Sequence, residues 1–222
     1  MKQEIQSSAL LVFVRVPHPG KVKTRLARSL GDEKAAEFYR LCTDAALEEI
    51  GQLSREIERY ISFAEPINKY EMKRLAGLGF KLVVQEGESL GQRLCNAFSM
   101  NLESGARKVV IVASDVPDLS ARIMEEAISD LDTSDVVIGP CYDGGYYLIG
   151  MKELHEELFH GISWGTERVC QQTLDAAKEN GLTVRQLPIL IDIDTEADLC
   201  QWSQLGEHKK PAIMDFIKAI RL

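Results

Sequence analysis

Two acidic segments hold the residues best suited to chemistry. The first, VVIVASDVPDLS (residues 109–120), is an apolar run that ends in Asp115 and then Asp118. A carboxylate at the end of a buried strand is costly to ionise unless it is paired, hydrogen-bonded or bound to a metal. The second, ILIDIDTEADL (residues 189–199), sets Asp192 and Asp194 on one face if the chain stays extended. Two like charges so close raise each other's pKa unless a cation neutralises them. Mg²⁺ and Mn²⁺ favour hard oxygen ligands, with phosphate and water completing the shell. Asp115, Asp192 and Asp194 are therefore candidate ligands for a divalent metal, whereas Asp118 reads as a turn or helix-start residue and Asp198 as a helix cap.

A basic segment lies near the start. The strand-like run LLVFVRV (residues 10–16) passes into Pro17, Pro19 and Gly20 and then into Lys21, Lys23, Arg25 and Arg28. In open α/β sheets ligands sit beyond the carboxyl ends of the strands, so this turn delivers Lys21, Lys23, Thr24 and Arg25 to that rim. Phosphate is the matching ligand, since helix-start N–H groups and cationic side chains both favour it. The stretch is not a Walker A loop, because Val22 follows Gly20-Lys21 where Ser or Thr is required and no Gly lies five residues before Gly20, and it lacks G-x-G-x-x-G too. A solvated basic helix start is the plain alternative, although cations there oppose the helix dipole unless an anion compensates.

Two further segments could line such a site. DGGYYLIG (residues 143–150) offers close backbone approach at Gly144 and Gly145, with Asp143 able to accept a hydroxyl; a tight hairpin with a buried tyrosine pair explains it equally. HGISWGTERV (residues 160–169) puts Trp164, Gly165 and Thr166 at a helix start, with Thr166 as the expected N-cap. No Ser-His-Asp or Cys-His grouping can be assembled, so a covalent nucleophile has no support. The pattern fits metal-assisted displacement at a phosphate or at an adjoining sugar carbon.

These residues need a scaffold, and the apolar pattern supplies one. Strand-like runs cover residues 9–16, 58–64, 80–85, 108–113, 135–139, 146–151 and 183–190, and helical stripes such as Leu90, Leu94, Ala97, Phe98 and Leu102 fall between them. The alternation predicts an α/β fold with a mainly parallel sheet flanked by helices. Residues 139–151 leave no room for a crossover helix, which predicts an antiparallel excursion. Ser120 and the Thr195/Asp198 pair mark two helix starts, at 121–131 and 196–205. With no linker or repeat, all of 1–222 reads as one domain.

Bulk properties narrow the ligand class. A net charge of -8 argues against general nucleic-acid or anionic-membrane binding. The five cysteines form no C-x-x-C pair, which fits reduced thiols rather than a disulfide framework or zinc site. No apolar run approaches the roughly 20 residues of a membrane span, and MKQEIQSS at the start is polar. The expectation is a cytoplasmic protein that binds a small anionic molecule.

Five ordered motifs, PGKVKTRL (19–26), ASDVPDL (113–119), GPCYDGGYYLIG (139–150), FHGISWGT (159–166) and DIDTEADL (192–199), closely resemble the DUF2064 family of GT-A-type glycosyltransferases. That group is also called the radical-SAM/selenodomain-associated transferases and is distantly related to molybdenum-cofactor and 2-phospholactate guanylyltransferases. The resemblance implies a nucleotide-diphospho-sugar transferase fold and a single-domain GT-A architecture. It implies that Pro19, Gly20, Lys21, Lys23, Thr24 and Arg25 hold a nucleotide diphosphate, with Lys23 and Arg25 as the main charge contacts. Asp115 takes the place of the family's metal-binding aspartate, and Asp192 or Asp194 supplies the second ligand to Mg²⁺ or Mn²⁺. Gly144, Gly145, Trp164, Gly165 and Thr166 then line the acceptor side, with Asp143 as a candidate base beside the catalytic Asp115 and Lys23.

The expected reaction is transfer of a sugar from a nucleotide-diphospho-sugar to a small-molecule acceptor. The alternative is nucleotidyl transfer from a nucleoside triphosphate to a phosphorylated small molecule, with pyrophosphate release; a third reading is nucleotide binding without turnover. The chain departs from the family pattern at GESLGQR (87–93), where Ser89 replaces the usual carboxylate, while Gln92 and Arg93 remain able to bind substrate. Ala113 stands where Gly is usual, and Arg15 where Lys is usual.

Overall fold

The computed structural model describes residues 8–67, 69–205 and 210–220. In chain order the main elements are β1 (Ser8–Val14), α1 (Thr24–Leu30), α2 (Asp32–Gly51), β2 (Ile57–Phe63), α3 (Lys69–Gly77), β3 (Lys81–Val84), α4 (Leu90–Glu103), β4 (Lys108–Ala113), α5 (Ala121–Asp130), β5 (Val136–Pro140), β6 (Tyr146–Met151), α6 (Val169–Glu179), β7 (Val184–Gln186), α7 (Glu196–Gln204) and α8 (Pro211–Ile220). Each expected strand is found. The last is shorter than expected: Pro188, which has no N–H to give, follows it, and only a bridge between Leu190 and Cys141 continues the pairing.

The strands form one sheet in the order β3-β2-β1-β4-β6-β5-β7. β1 pairs in parallel with β2 and β4, β2 with β3, and β5 with β7, whereas β6 runs antiparallel between β4 and β5. The expected antiparallel excursion is therefore β5–β6. The register sets Phe13 opposite Ala113, Val14 opposite Phe63 and Phe63 opposite Val84. The carboxyl ends of four neighbouring parallel strands thus finish nearly level, and the loops leaving them share one rim.

Helices cover both faces of the sheet, which explains why β1 and β4 are nearly continuous apolar runs rather than alternating ones. On one face Leu10, Val12 and Val110 pack with Leu47 and Ile50 of α2 and Met124 of α5. On the other, Leu11, Val109 and Ile111 pack with Leu94 and Phe98 of α4 and Ala177 of α6. A third cluster joins Leu26, Phe38 and Cys42 to Ile191, Ile193, Leu199, Trp202 and Phe216. It pins the segment carrying Asp192 and Asp194 against α1 and α2.

Local signals act where the sequence placed them. Ser89 and Ser120 accept the N–H of Gln92 and Ile123 as caps of α4 and α5, and Thr195 with Asp198 forms a full capping box on α7. Asp118 does more than turn the chain, for its Oδ2 accepts the indole N–H of the buried Trp202 at 2.8 Å. Among the described residues no helix is long and apolar enough to cross a membrane.

Glu49 of α2 ties three elements together. It accepts the Ala121 N–H at the start of α5 at 2.9 Å and the Lys210 ammonium before α8 at 2.5 Å. Partial burial pushes its carboxyl up, but the Lys210 hydrogen bond and the Ala121 N–H outweigh that and hold it below the usual carboxylate range. Such a group contributes stability above its unfolded pKa and loses it as pH falls through its folded pKa. Glu49→Gln is expected to lower stability at neutral pH by roughly 1–2 kcal/mol. In denaturant titrations across pH, the gap to wild type should close as the pH drops below the carboxylate range.

Candidate active site

The site begins where β1 and β4 leave the sheet together. Tyr39 of α2 straddles the two ends: its hydroxyl oxygen accepts the Arg15 N–H at 2.9 Å and lies 2.8 Å from Ser114 Oγ in a buried hydrogen bond. From there residues 15–23 pass over the rim, exposed at the crest where Pro19 and Gly20 lie. The turn closes at Lys23, with φ 45° and ψ 45°, the one non-glycine residue of positive φ among those described. A left-handed conformation of this kind costs on the order of 1–3 kcal/mol and persists only where the surroundings enforce it.

What enforces it is the Lys23 side chain, which is only 3% exposed. Its ammonium lies 2.9 Å from Asp115 Oδ2, 2.7 Å from Asp192 Oδ1 and 2.9 Å from Asp194 Oδ1. Asp115 arrives from the end of β4, two residues past Ala113. Asp192 and Asp194 arrive by alternation, because Ile191 and Ile193 point into the third apolar cluster and leave the aspartates for the rim. Arg25 adds a looser contact, Nη1 to Asp194 Oδ2 at 3.4 Å.

One ammonium does not balance three carboxylates. Burial alone would lower the Lys23 pKa, but Asp115, Asp192 and Asp194 together raise it well above its ordinary value. Asp192 moves up as well, first through its own burial and then through the like charge of Asp115, against which Lys23 acts only in part. Among the described residues no group of three or more His, Cys, Asp or Glu side chains stands ready to hold a metal ion. The place expected for the ion is filled by the chain's own cation. The donor set is nonetheless all carboxylate oxygen, the chemistry that Mg²⁺ and Mn²⁺ select.

Beside this cluster opens a cleft of about 660 Å³. Lys21, Lys23, Thr24 and Arg25 line one side, and Asp115, Asp192 and Asp194 lie at its base. The nucleotide and metal candidates, apart from Pro19 and Gly20 on the crest, are thus brought to one cavity. Gln85, Glu88 and Arg93 form the opposite wall. Gln85 is held by the Ser62 carbonyl at 2.8 Å, and Arg93 Nε donates to the Gly87 carbonyl at 2.9 Å. Ser89, where a carboxylate is usual, serves as a cap, and Gln92 accepts the Glu88 N–H at 2.8 Å instead of facing the cleft.

The acceptor candidates form a unit of their own. Asp143 is exposed and Oδ1 accepts the Gly145 N–H at 2.9 Å, a turn-closing bond. Gly144 accepts the Cys170 N–H at 2.9 Å, so the 143–145 turn sits on the start of α6. Trp164 meets Tyr146 edge to face at 6.4 Å. None of Asp143, Gly144, Gly145, Trp164, Gly165 and Thr166 lines the cleft. Thr166 is also not the cap expected of it: α6 starts at Val169 behind Arg168, because the Thr166 hydroxyl donates to Ser163 O and accepts the Arg168 N–H in a turn before the helix.

Sequence reasoning missed Tyr39, Ser114, Gln85 and Glu88. Tyr39 and Ser114 sit in an apolar helix stripe and at an apolar strand end, and nothing in their spacing marks them. Gln85 directly follows β3, at a strand end like the one that marks Asp115.

The family model described as "Uncharacterized protein conserved in bacteria (DUF2064)" matches residues 49–166, just over half of the chain. The chain belongs to the DUF2064 family. A solved structure from Desulfovibrio desulfuricans G20, provisionally named a nucleotide-diphospho-sugar transferase, is 33% identical, with a TM-score of 0.85 over 97% of this chain and 96% of its own. The inositol-1-phosphate CTP transferase of T. maritima is 16% identical, with a TM-score of 0.52 over 98% and 99% of the two chains. A Mycobacterium tuberculosis H37Rv protein solved as a manganese complex is 13% identical, with a TM-score of 0.53 over 90% and 100%. No match was found among curated protein sequences. The Desulfovibrio structure gives the chain the nucleotide-diphospho-sugar transferase architecture that the five motifs imply, and the transferases among the similar structures support an enzyme.

Gly144 shows how tightly the second unit is built. Its φ is +85°, and a Cβ there would lie 2.0 Å from the Glu167 carbonyl oxygen. Gly144→Ala is expected to destabilise the fold by at least about 2 kcal/mol, read as a lower denaturation midpoint with unchanged slope.

Proposed function

We propose that this DUF2064 member is a metal-dependent glycosyltransferase that takes a nucleotide-diphospho-sugar donor and modifies a small-molecule acceptor. One observation carries the reading: a basic strand-to-helix turn and three aspartates meet in a single cleft at the carboxyl ends of parallel strands. That is where an open α/β sheet binds its ligand, and it joins the two charge types that a metal-bound diphosphate needs. The 33% identity to the Desulfovibrio protein over nearly the whole chain supports the choice of donor class.

In this reading Arg25, Lys21 and Thr24, with Lys23, receive the diphosphate and stabilise the negative charge that grows as the nucleoside diphosphate leaves. Asp115 with Asp192 or Asp194 would hold the divalent cation, which supplies Lewis-acid stabilisation of the phosphate oxygens when bound. Pro19 and Gly20 shape the crest over the phosphates. Arg93 and Gln85 on the facing wall bind the remainder of the donor. The unit of Asp143, Gly144, Gly145 and Trp164–Thr166 is assigned to the acceptor side, with Asp143 as the carboxylate available to take the acceptor's proton.

The second reading is nucleotidyl transfer, favoured by the fold shared along its whole length with the T. maritima CTP transferase. The same basic turn would face a triphosphate, and the released product separates the two.

A thermal-shift screen of nucleoside diphosphates, triphosphates and nucleotide sugars, with and without Mg²⁺ or Mn²⁺, is the test. A metal-dependent rise in Tm with a nucleotide sugar or diphosphate is expected, lost in Asp115→Ala and Lys23→Ala. Turnover should then release nucleoside diphosphate, and Arg25→Ala should lower kcat/KM by about tenfold to a hundredfold. Pyrophosphate release from a triphosphate would favour the second reading, and no shift with any nucleotide would sink both.

A further inference from the structure

Lys23 is held by three carboxylates in the structure and assigned to a diphosphate in the proposed reaction, and it does not serve both at once. An ammonium has three N–H donors, and this one faces three carboxylate oxygens at 2.7 to 2.9 Å. Held there, it gives hydrogen bonds to Asp192 and Asp194 and pairs its charge with Asp115, so it faces the carboxylates and not a phosphate in the cleft. A divalent cation held by the same carboxylates would have to share their centre with the ammonium, and two cations there would repel each other strongly. The side chain also has somewhere else to go, because Lys23 lines the open 660 Å³ cleft that Lys21, Thr24 and Arg25 surround.

We propose that Lys23 is an exchangeable stand-in for the metal: its ammonium occupies the Asp115/Asp192/Asp194 cluster in the cation-free chain, and cation entry expels it into the cleft as the cationic hook for a phosphate. The inference rests on the metal site assigned above. Charge counting agrees with it, since the three carboxylates keep a net charge of two minus with the lysine and one minus with a divalent ion in its place. Cation and nucleotide then bind cooperatively: the cation alone must displace a buried ion pair, and the nucleotide receives the group that the cation releases.

Mn²⁺ binding to the full chain without nucleotide, followed by the electron paramagnetic resonance signal of free Mn²⁺, tests this in wild type, Lys23→Met and Lys21→Met. Lys23→Met is expected to bind Mn²⁺ on the order of tenfold or more tighter than wild type. Lys21→Met, which removes the same charge from an exposed position of the same turn, should tighten binding much less. If Lys23→Met binds no tighter than either, while Asp115→Asn still abolishes binding, the exchange is overturned and the metal site stands. If Mn²⁺ binds no variant, or binding survives Asp115→Asn, the metal site falls and the exchange with it.

Should Lys23→Met fail to fold, the wild-type chain answers the same question. A short acetic anhydride pulse read by mass spectrometry should leave Lys23, 3% exposed, largely unlabelled without cation. Saturating Mn²⁺ should raise its labelling several-fold, and equal labelling in the two states would overturn the exchange.

Discussion

A single buried ammonium lies within hydrogen-bonding distance of three carboxylates, and that contact dictates much of what surrounds it. Asp115, Asp192 and Asp194 would repel one another if left alone at the sheet's rim, and the interior raises the strength of that repulsion well above its value in water. Lys23 offsets it from the centre. To reach there its backbone takes a left-handed conformation that residues other than glycine avoid, so the energy of the ion cluster is in part converted into the shape of the turn. The basic loop that the cleft presents to a ligand has its form because of the aspartates behind it.

The rest of the fold keeps those four side chains in register. Parallel pairing of β1 with β4 ends the two strands level, which brings the turn carrying Lys23 beside Asp115. Tyr39 fastens the two exits through Arg15 and Ser114. The other two aspartates sit on a segment with no ladder partner beyond one bridge, and apolar packing does there what a strand would do elsewhere. Ile191 and Ile193 are buried among α1, α2, α7 and α8, and the bond from Trp202 to Asp118 links α7 back to the loop after β4.

The scaffold was legible in the sequence because its signals are local. Buried parallel strands read as short apolar runs, the gap between residues 139 and 151 admitted no crossover, and the capping box at Thr195 needed only its own four residues. The members of the site were legible too, since strand-end carboxylates and a basic turn are expensive features without a partner. Their pairing was not. By type and spacing Lys23 suits a phosphate and the three aspartates suit a metal, and only the folded chain shows these groups meeting each other. The Thr166 cap failed for a related reason: a hydroxyl that can cap a helix can equally close a turn before one, and spacing does not separate the two. Tyr39 and Gln85 act through contacts made across the rim, which no local pattern records.

The distance along the chain between the groups that meet has its own consequence. Lys23 and Asp192 are separated by 169 positions, and Asp115 stands roughly midway. Contacts of such long range demand that most of the loop-closure entropy be lost before they form. As the chain leaves the ribosome, the lysine emerges first and waits through the synthesis of nearly the entire sheet for its last two partners. The ion cluster can therefore close only once both ends of the domain have been made, and it registers in one place whether they have arrived.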